Sequence, residues 1–231
     1  MKLVVLTGAG ISAESGLATF RDPDGVWAKH DLTKLATPEA FEADPVLVHQ
    51  FYNERRAQLR EVQPNAAHAA LARLEKALGD DFLLVTQNVD DLHDRAGSKS
   101  LIHMHGELRS AWCRVCDARL AWDEDLSTET ACPSCGTLGH MRPDIVWFGE
   151  MPYRMDKILR MLDDCDLFVA IGTSGAVYPA AGFVDIAART GAETLELNLQ
   201  RSEGTVLFDN HRHGPATRIV PEFVDEILGT R

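Results

Sequence analysis

Short unbroken apolar runs alternate along the chain with stretches where apolar residues recur every three or four positions. Residues 3–6, 82–85 and 167–171 are runs of the first kind. Such runs mark strands buried on both faces of a parallel sheet. Residues 194–198 read as a further strand, and 101–106 and 217–220 as shorter ones. Helices fall between them. Thr37-Pro38-Glu39 is a helix start with Thr as cap and Pro in the first turn. Pro45 interrupts that helix, and a second is expected from 45 to 62. Asn65 caps a third, with Leu71, Leu74 and Leu78 on one face. Others are expected near 155–162, 180–189 and 221–228. Strands alternating with helices predict an α/β fold, a Rossmann-like doubly wound parallel sheet.

The first strand runs into Gly8-Ala9-Gly10-Ile11-Ser12-Ala13. This is the glycine spacing of a dinucleotide-binding turn, with a small residue in third place. A helix beginning after Ser12 would aim free N–H groups at phosphates. Residues 14–27 have no period and read as a loop able to fold over a ligand. A hydride-transfer enzyme would show a second strand ending in a ribose-binding acid about 20 residues beyond the glycines. Residues 28–40 show none. Polar clusters follow two other strands, Thr86-Gln87-Asn88-Val89-Asp90 and Gly172-Thr173-Ser174-Gly175, at the sheet edge where such folds bind ligands.

The chain has 231 residues, 45% of them hydrophobic and 25% charged, enough for one α/β domain with a small module. Its net charge of −12 argues against a nucleic-acid footprint and suits basic, lysine-rich partners. No apolar run approaches a membrane span of ~20 residues, and no export leader precedes the first strand, so a cytoplasmic protein is expected. Cys113-x2-Cys116 and Cys132-x2-Cys135 flank 15 residues. That spacing suits a structural zinc ion closed by four thiolates. Cys165 stands apart with no role.

His105 follows a predicted strand and is the candidate general base. His103, two residues earlier, shares its expected face, so period alone leaves both open. Gln87, Asn88 and Asp90 can bind a ribose or carboxamide, or merely cap a turn. Tyr52 and Arg55 lie three apart on a predicted helix and share a face. A phenol and a guanidinium together can hold a carboxylate; the bland alternative is a surface Arg paired with Glu54 beside a half-buried Tyr.

Gly8-Ala9-Gly10-Ile11-Ser12, Phe20-Arg21-Asp22, Thr86-Gln87-Asn88-Val89-Asp90, His105-Gly106, the paired cysteines, Val146-Trp147-Phe148-Gly149-Glu150, Gly172-Thr173-Ser174 and Asn198-Leu199 occur in the order seen in sirtuins. The chain resembles these NAD-dependent protein-lysine deacylases over nearly its whole length, without the N-terminal extension many carry. It is most similar to the bacterial and mitochondrial class that removes succinyl and malonyl groups. The resemblance implies that NAD is consumed as co-substrate, that one structural Zn is bound, and that the substrates are acylated lysines on proteins, which the enzyme deacylates to release nicotinamide and O-acyl-ADP-ribose. It implies His105 as catalytic base, with Asn88 and Asp90 beside it. Gly8, Ala9, Gly10, Ser12, Phe20, Arg21, Trp27 and Gln87 would enclose NAD together with Gly172, Thr173 and Ser174, and Asn198 and Ala216 would lie nearer the adenosine. Val146 and Phe148 would wall the acyl-lysine tunnel, and Tyr52 and Arg55 would select acidic acyl groups. The expected division is a Rossmann-like domain of 1–27, 63–107 and 142–231. A helical module (28–62) and a zinc-binding module (108–141) would form a small second domain, and a monomer is expected. Two other readings remain: mono-ADP-ribosyl transfer to protein, and a non-catalytic NAD-binding zinc-ribbon protein.

Overall fold

The computed structural model describes residues 1–18 and 35–229. Phe20, Arg21 and Trp27, expected at the cofactor, lie outside the described residues. Six strands form a parallel sheet: β1 (Leu3–Thr7), β2 (Phe82–Thr86), β3 (Leu101–His103), β7 (Leu167–Ile171), β8 (Glu193–Asn198) and β9 (Asn210–His213), in the order β3-β2-β1-β7-β8-β9. The chain reverses its direction of winding between β1 and β7, and crevices at such switch points bind ligands in open α/β sheets. The register makes that crevice level. Thr7 pairs with both Thr86 and Ile171, and Ile171 with Leu197. The turns after β1, β2, β7 and β8 therefore emerge side by side.

Alternate strand residues face opposite layers. Leu3 and Val5 pack with Leu71 and Leu74 of α4 (Ala66–Leu78) and Ile219 and Phe223 of α8 (Ala216–Leu228). Val4 and Leu6 pack on the other side with Ile158 and Leu162 of α6 (Met155–Leu162) and Phe183 and Val184 of α7 (Phe183–Arg189). Both layers are apolar, so the continuous apolar strands follow. A second sheet, antiparallel in the order β5-β4-β6, joins β4 (Gly106–Cys113), β5 (Arg119–Ala121) and β6 (Met141–Ile145). Over it lie α2 (Pro38–Ala43) and α3 (Pro45–Gln58). Phe41, Val48, Phe51 and Tyr52 share a core there with Leu108, Ile145 and Trp147. Thr37 caps α2 and Asp44 caps α3, each offering a side-chain oxygen to an otherwise unpaired backbone N–H.

Three expectations change. The helix after the glycine turn, α1 (Gly10–Ala13), begins before Ser12 and lasts one turn. The strand expected at 217–220 is the start of α8. Ile219, Val220, Phe223 and Val224 are all buried on one helical face; the β-branched run disguised that period, and Pro221 sits inside the helix. The edge strand is instead Asn210-His211-Arg212-His213, too polar to leave an apolar signal. The strand expected at 101–106 divides: β3 stops at His103 and β4 starts at Gly106, so Met104-His105 carries the chain between sheets. Gly106 has φ +80°, and a Cβ there would lie 2.0 Å from Asp144 O, so only glycine permits this crossover. A short helix, α5 (Leu92–Ala96), had no sequence expectation.

Candidate active site

A cleft of about 1130 Å³ opens over the switch point. Its floor is two glycine turns packed backbone to backbone. Gly10 N–H donates to Gly172 O at 2.9 Å, and a Cβ on Gly10 would sit 2.7 Å from Gly172 Cα. The second glycine of the motif is thus required by the opposite turn as well as by any phosphate above it. Gly8, Ala9 and Gly10 line the cleft from β1, Gln87 and Asn88 from β2, and Gly172, Thr173 and Ser174 from β7.

Ser12 and Asp90 line a smaller pocket that adjoins the cleft and shares Ala9, Arg55 and Asn88 with it. Ser12 Oγ donates to Asp90 Oδ2 at 2.9 Å. Asn88 Nδ2 donates to Gly8 O at 3.1 Å and to Ser12 Oγ at 3.2 Å, so the amide nitrogen is tied to the floor. Burial pushes the Asp90 carboxyl pKa up, against hydrogen bonds from Leu92 N and Ser12. Two buried histidines below complete this network and were not singled out from sequence. His68 Nδ1 accepts from the Asn65 backbone N–H at 3.2 Å, leaving Nε2 to face Ser12 Oγ at 3.4 Å. His93 Nε2 meets Thr7 Oγ1 at 3.0 Å. Burial lowers the His68 pKa to about 4 and that of His93 well below its ordinary value. His68 sits at the third position of α4, where it closes a capping box with Asn65, and His93 lies in the short helix Leu92–Ala96 that had no sequence expectation.

His105 reaches the cleft from the crossover. Its Nδ1–H donates to Gln87 O at 3.1 Å, so in the neutral ring Nε2 carries the lone pair. Burial lowers its pKa, opposed by that carbonyl. The structure separates it from His103, whose Nε2 meets Asp94 at 2.9 Å. The shared face expected of the two does not exist, because the strand ends between them.

Tyr52 and Arg55, one turn apart on α3, both line the cleft, as do Val146 and Phe148. Tyr52 is 4% exposed. Its oxygen accepts from Trp147 Nε1 at 2.9 Å, leaving the phenolic proton to donate, and burial pushes its pKa up to about 12. Burial also draws the Arg55 pKa down, against the opposing influence of Tyr52 and Asp90. Glu54 instead accepts from Gln50 at 2.9 Å. Arg55 is thus a cleft cation on the same wall as Tyr52. Phe148 is 46% exposed at the rim, while Trp147 is buried under an Arg142 guanidinium 3.3 Å from its ring centre.

At the other end, Asn198 Nδ2 donates to Thr173 O at 2.8 Å, and Ala216 opens α8. Both line the cleft, together with Leu199 of the same motif and with Gln200, Arg201, Ser202 and Gly214, which sequence reasoning had not named.

Cys113, Cys116, Cys132 and Cys135 bring their four Sγ atoms within 4.8 Å of one another. The Cys113–Cys135 and Cys116–Cys132 sulfurs are 3.8 and 3.7 Å apart. Zn–S bonds of about 2.3 Å give tetrahedral edges of about 3.8 Å, so the thiols fit zinc and are too far apart for disulfides. The two pairs form matching turns. Asp117 N donates to Cys113 O and Gly136 N to Cys132 O, and both donors have positive φ. The apolar support is slight, chiefly Ala111, Leu126 and Met141, so a metal is needed to hold this module.

The fold and cleft define a Rossmann-type dinucleotide-binding protein with a thiol-rich second module. A Sir2 family model matches residues 8–179, and the chain belongs to that family. It is 55% identical to the NAD-dependent protein deacylase of Salmonella typhimurium over 229 residues, covering 98% of this chain and 84% of that one. Identity to the Bdellovibrio bacteriovorus protein of the same name is 55% over 228 residues, covering 98% and 96%. A solved Sir2 homologue in complex with NAD superposes with a TM-score of 0.89 at 39% identity, covering 99% of this chain and 90% of the other.

Proposed function

We propose that this chain is an NAD-dependent protein-lysine deacylase and that it prefers acyl groups ending in a carboxylate, such as succinyl, over acetyl. The observation that carries the reading is the neutral His105, held through Nδ1 by Gln87 O with its basic nitrogen available at the cleft between glycine floor and acyl wall. NAD, when bound, supplies a ribose carbon that turns electrophilic as nicotinamide leaves, and its ADP-ribose part carries away the acyl group. His105 removes the proton of a ribose hydroxyl at Nε2. Asn88, with its amide nitrogen tied down, offers its oxygen to the ribose. Asp90 and Ser12 keep that amide in place and line the adjoining pocket, a fit for nicotinamide. Val146 and Phe148 flank the acyl-lysine chain. Arg55 and the Tyr52 hydroxyl would hold a distal carboxylate by charge-assisted hydrogen bonds. The glycine turns, Thr173 and Ser174 carry the phosphates; Asn198 and Ala216 flank the adenosine. The four-thiolate zinc has no open position for water, so its part is structural.

The proposed division keeps the expected boundaries, with 1–27, 63–107 and 142–231 as the NAD-binding domain and 28–62 and 108–141 as the helical and zinc-binding modules of the small domain. Reduced thiols kept for a metal support a cytoplasmic location. Among the described residues no helix is long and apolar enough to cross a membrane. The test is incubation of zinc-loaded protein, with and without NAD, with matched acetyl- and succinyl-lysine peptides, following nicotinamide release and peptide mass. NAD-dependent loss of succinyl faster than acetyl supports the whole reading. Acetyl loss alone sinks the carboxylate preference. Nicotinamide release with ADP-ribose left on protein favours mono-ADP-ribosyl transfer, and no turnover at all favours a non-catalytic NAD-binding protein.

A further inference from the structure

The segment β7–Gly172 turn–α7–β8 is itself a strand–helix–strand nucleotide unit. In such units the end of the second strand reads the adenosine ribose. A carboxylate there accepts from the 2′-hydroxyl of NAD, whereas an arginine accommodates the 2′-phosphate of NADP. Here that position reads Asn198-Leu199-Gln200-Arg201, with no acid. Of the two carboxylates on β8, Glu193 lies at the strand's far, N-terminal end, and Glu196 is 1% exposed and engaged by the loop below, where it accepts from Ser202 Oγ and, at 2.5 Å, from Thr205 Oγ1. Ser202 N in turn donates to Thr205 Oγ1 at 2.8 Å. The acid thus braces the turn from which Arg201 projects, and is hidden from the cleft.

A second arginine meets the same corner. Gly214 N donates to Asn198 O at 2.9 Å, and Gly214 lines the cleft. Arg218, in the first turn of α8, lies across Gly214 so closely that a Cβ there would sit 2.8 Å from Arg218 Nη2. Arg201 and Arg218 are both exposed, and neither guanidinium has a hydrogen-bond or ion-pair partner among the described residues. Two other acids are near. Glu14 lines the cleft but is occupied by Thr217 N at 2.9 Å and Thr217 Oγ1 at 2.7 Å; Glu203 is exposed and already engaged.

We propose that the adenosine end of the cleft accepts a 2′-phosphate, so that the protein binds NADP as well as NAD, with Arg201 and Arg218 as its phosphate ligands. The inference rests on the proposed NAD site. An adenosine carrying only hydroxyls meets Asn198 and Gln200 in the same corner, so NAD binding does not depend on the arginines. The extra phosphate brings two negative charges to two cations at the solvent edge, which makes its binding salt-dependent.

The test is calorimetric titration of the folded, zinc-loaded protein with NAD and with NADP, on wild type and on Arg201→Ala and Arg218→Ala. Support is NADP binding within tenfold of NAD, weakened about tenfold by either substitution, as expected for a lost charge-assisted hydrogen bond, while NAD affinity stays within twofold. NAD binding with NADP a hundredfold weaker, or equal losses for both nucleotides in the variants, overturns the inference and leaves the deacylase reading standing. Failure of both nucleotides to bind the wild type overturns the two together.

Discussion

Replacing Arg55 by Met keeps most of the side-chain stem on the cleft wall and removes the guanidinium. If Arg55 holds a succinyl carboxylate, the loss is that of a hydrogen bond to a charged group, about 1.5–3 kcal/mol, or roughly 10- to 150-fold in kcat/KM. The upper half of that range is expected, because Arg55 is half-buried and burial lowers its pKa, so screening is weaker there than at the open surface. Acetyl-lysine presents no carboxylate, so its kcat/KM should stay within threefold. Tyr52→Phe gives a graded control. It removes the donor to the carboxylate, about 1 kcal/mol, and also strips Trp147 Nε1 of its acceptor at 2.9 Å, which should cost about 1–3 kcal/mol of stability. Melting temperature and acyl selectivity should therefore move together in Tyr52→Phe and separately in Arg55→Met. The assay is kcat/KM for matched peptides at saturating NAD. Equal loss on both peptides in Arg55→Met, with an unchanged melting temperature, would refute the carboxylate clamp.

Three further outcomes are expected. His105 must be neutral to act, and burial lowers its pKa from 6.5, so the acid limb of kcat/KM should lie below pH 6.5; a limb above 7 would remove His105 as the base. His68, His49 and His93 are buried and neutral, with pKa values of about 4, about 4 and well below 6.5. The unfolded chain takes up protons first, so each should withdraw up to about 1.4 kcal/mol of stability per pH unit as pH falls from 6.5 toward 4, measurable by urea denaturation at pH 7 and 5. Chelation, or Cys132→Ser, should release one zinc per chain by elemental analysis, lower the melting temperature and abolish turnover; full activity without zinc would dismiss the structural role.

The sheet was legible because its strands are buried on both faces, and nothing but apolar residues satisfies both layers. The thiol cluster was legible because two Cys-x2-Cys pairs at that separation suit a tetrahedral metal and little else. The edge strand 210–213 was not, since a polar edge needs no apolar pattern, and Ile219-Val220 carried a strand's chemistry on a helix's face. Among the site residues, spacing singled out the glycine turns, Gln87-Asn88 and the Tyr52–Arg55 pair separately; only the resemblance implied a shared site, and in the structure they line one cleft. It could not separate His105 from His103, because the distinction is the crossover at Gly106. His68 and His93, and the loop at 200–202, escaped because their roles come from tertiary partners more than 50 residues away or from a turn with no motif.

The buried floor explains why so polar a group of side chains persists at the middle of the sheet. Thr7, Ser12, His68, Thr86, Asn88, Asp90 and His93 are all buried, and unmatched polar burial costs about 1–3 kcal/mol per group. The hydrogen bonds here run in one direction. Asn65 N–H donates to His68, whose Nε2 faces Ser12, and Ser12 donates to Asp90. Ser12 also accepts from Asn88, whose other amide hydrogen goes to Gly8 O. With Nδ1 already accepting, His68 has a single neutral tautomer, and protonation would set its new N–H against that of Asn65. The amide nitrogen of Asn88 is therefore held by Gly8 O and Ser12 Oγ before any ligand arrives. A floor held in this way would lose little further entropy on meeting the ribose of the proposed NAD site, which is the use of preorganisation.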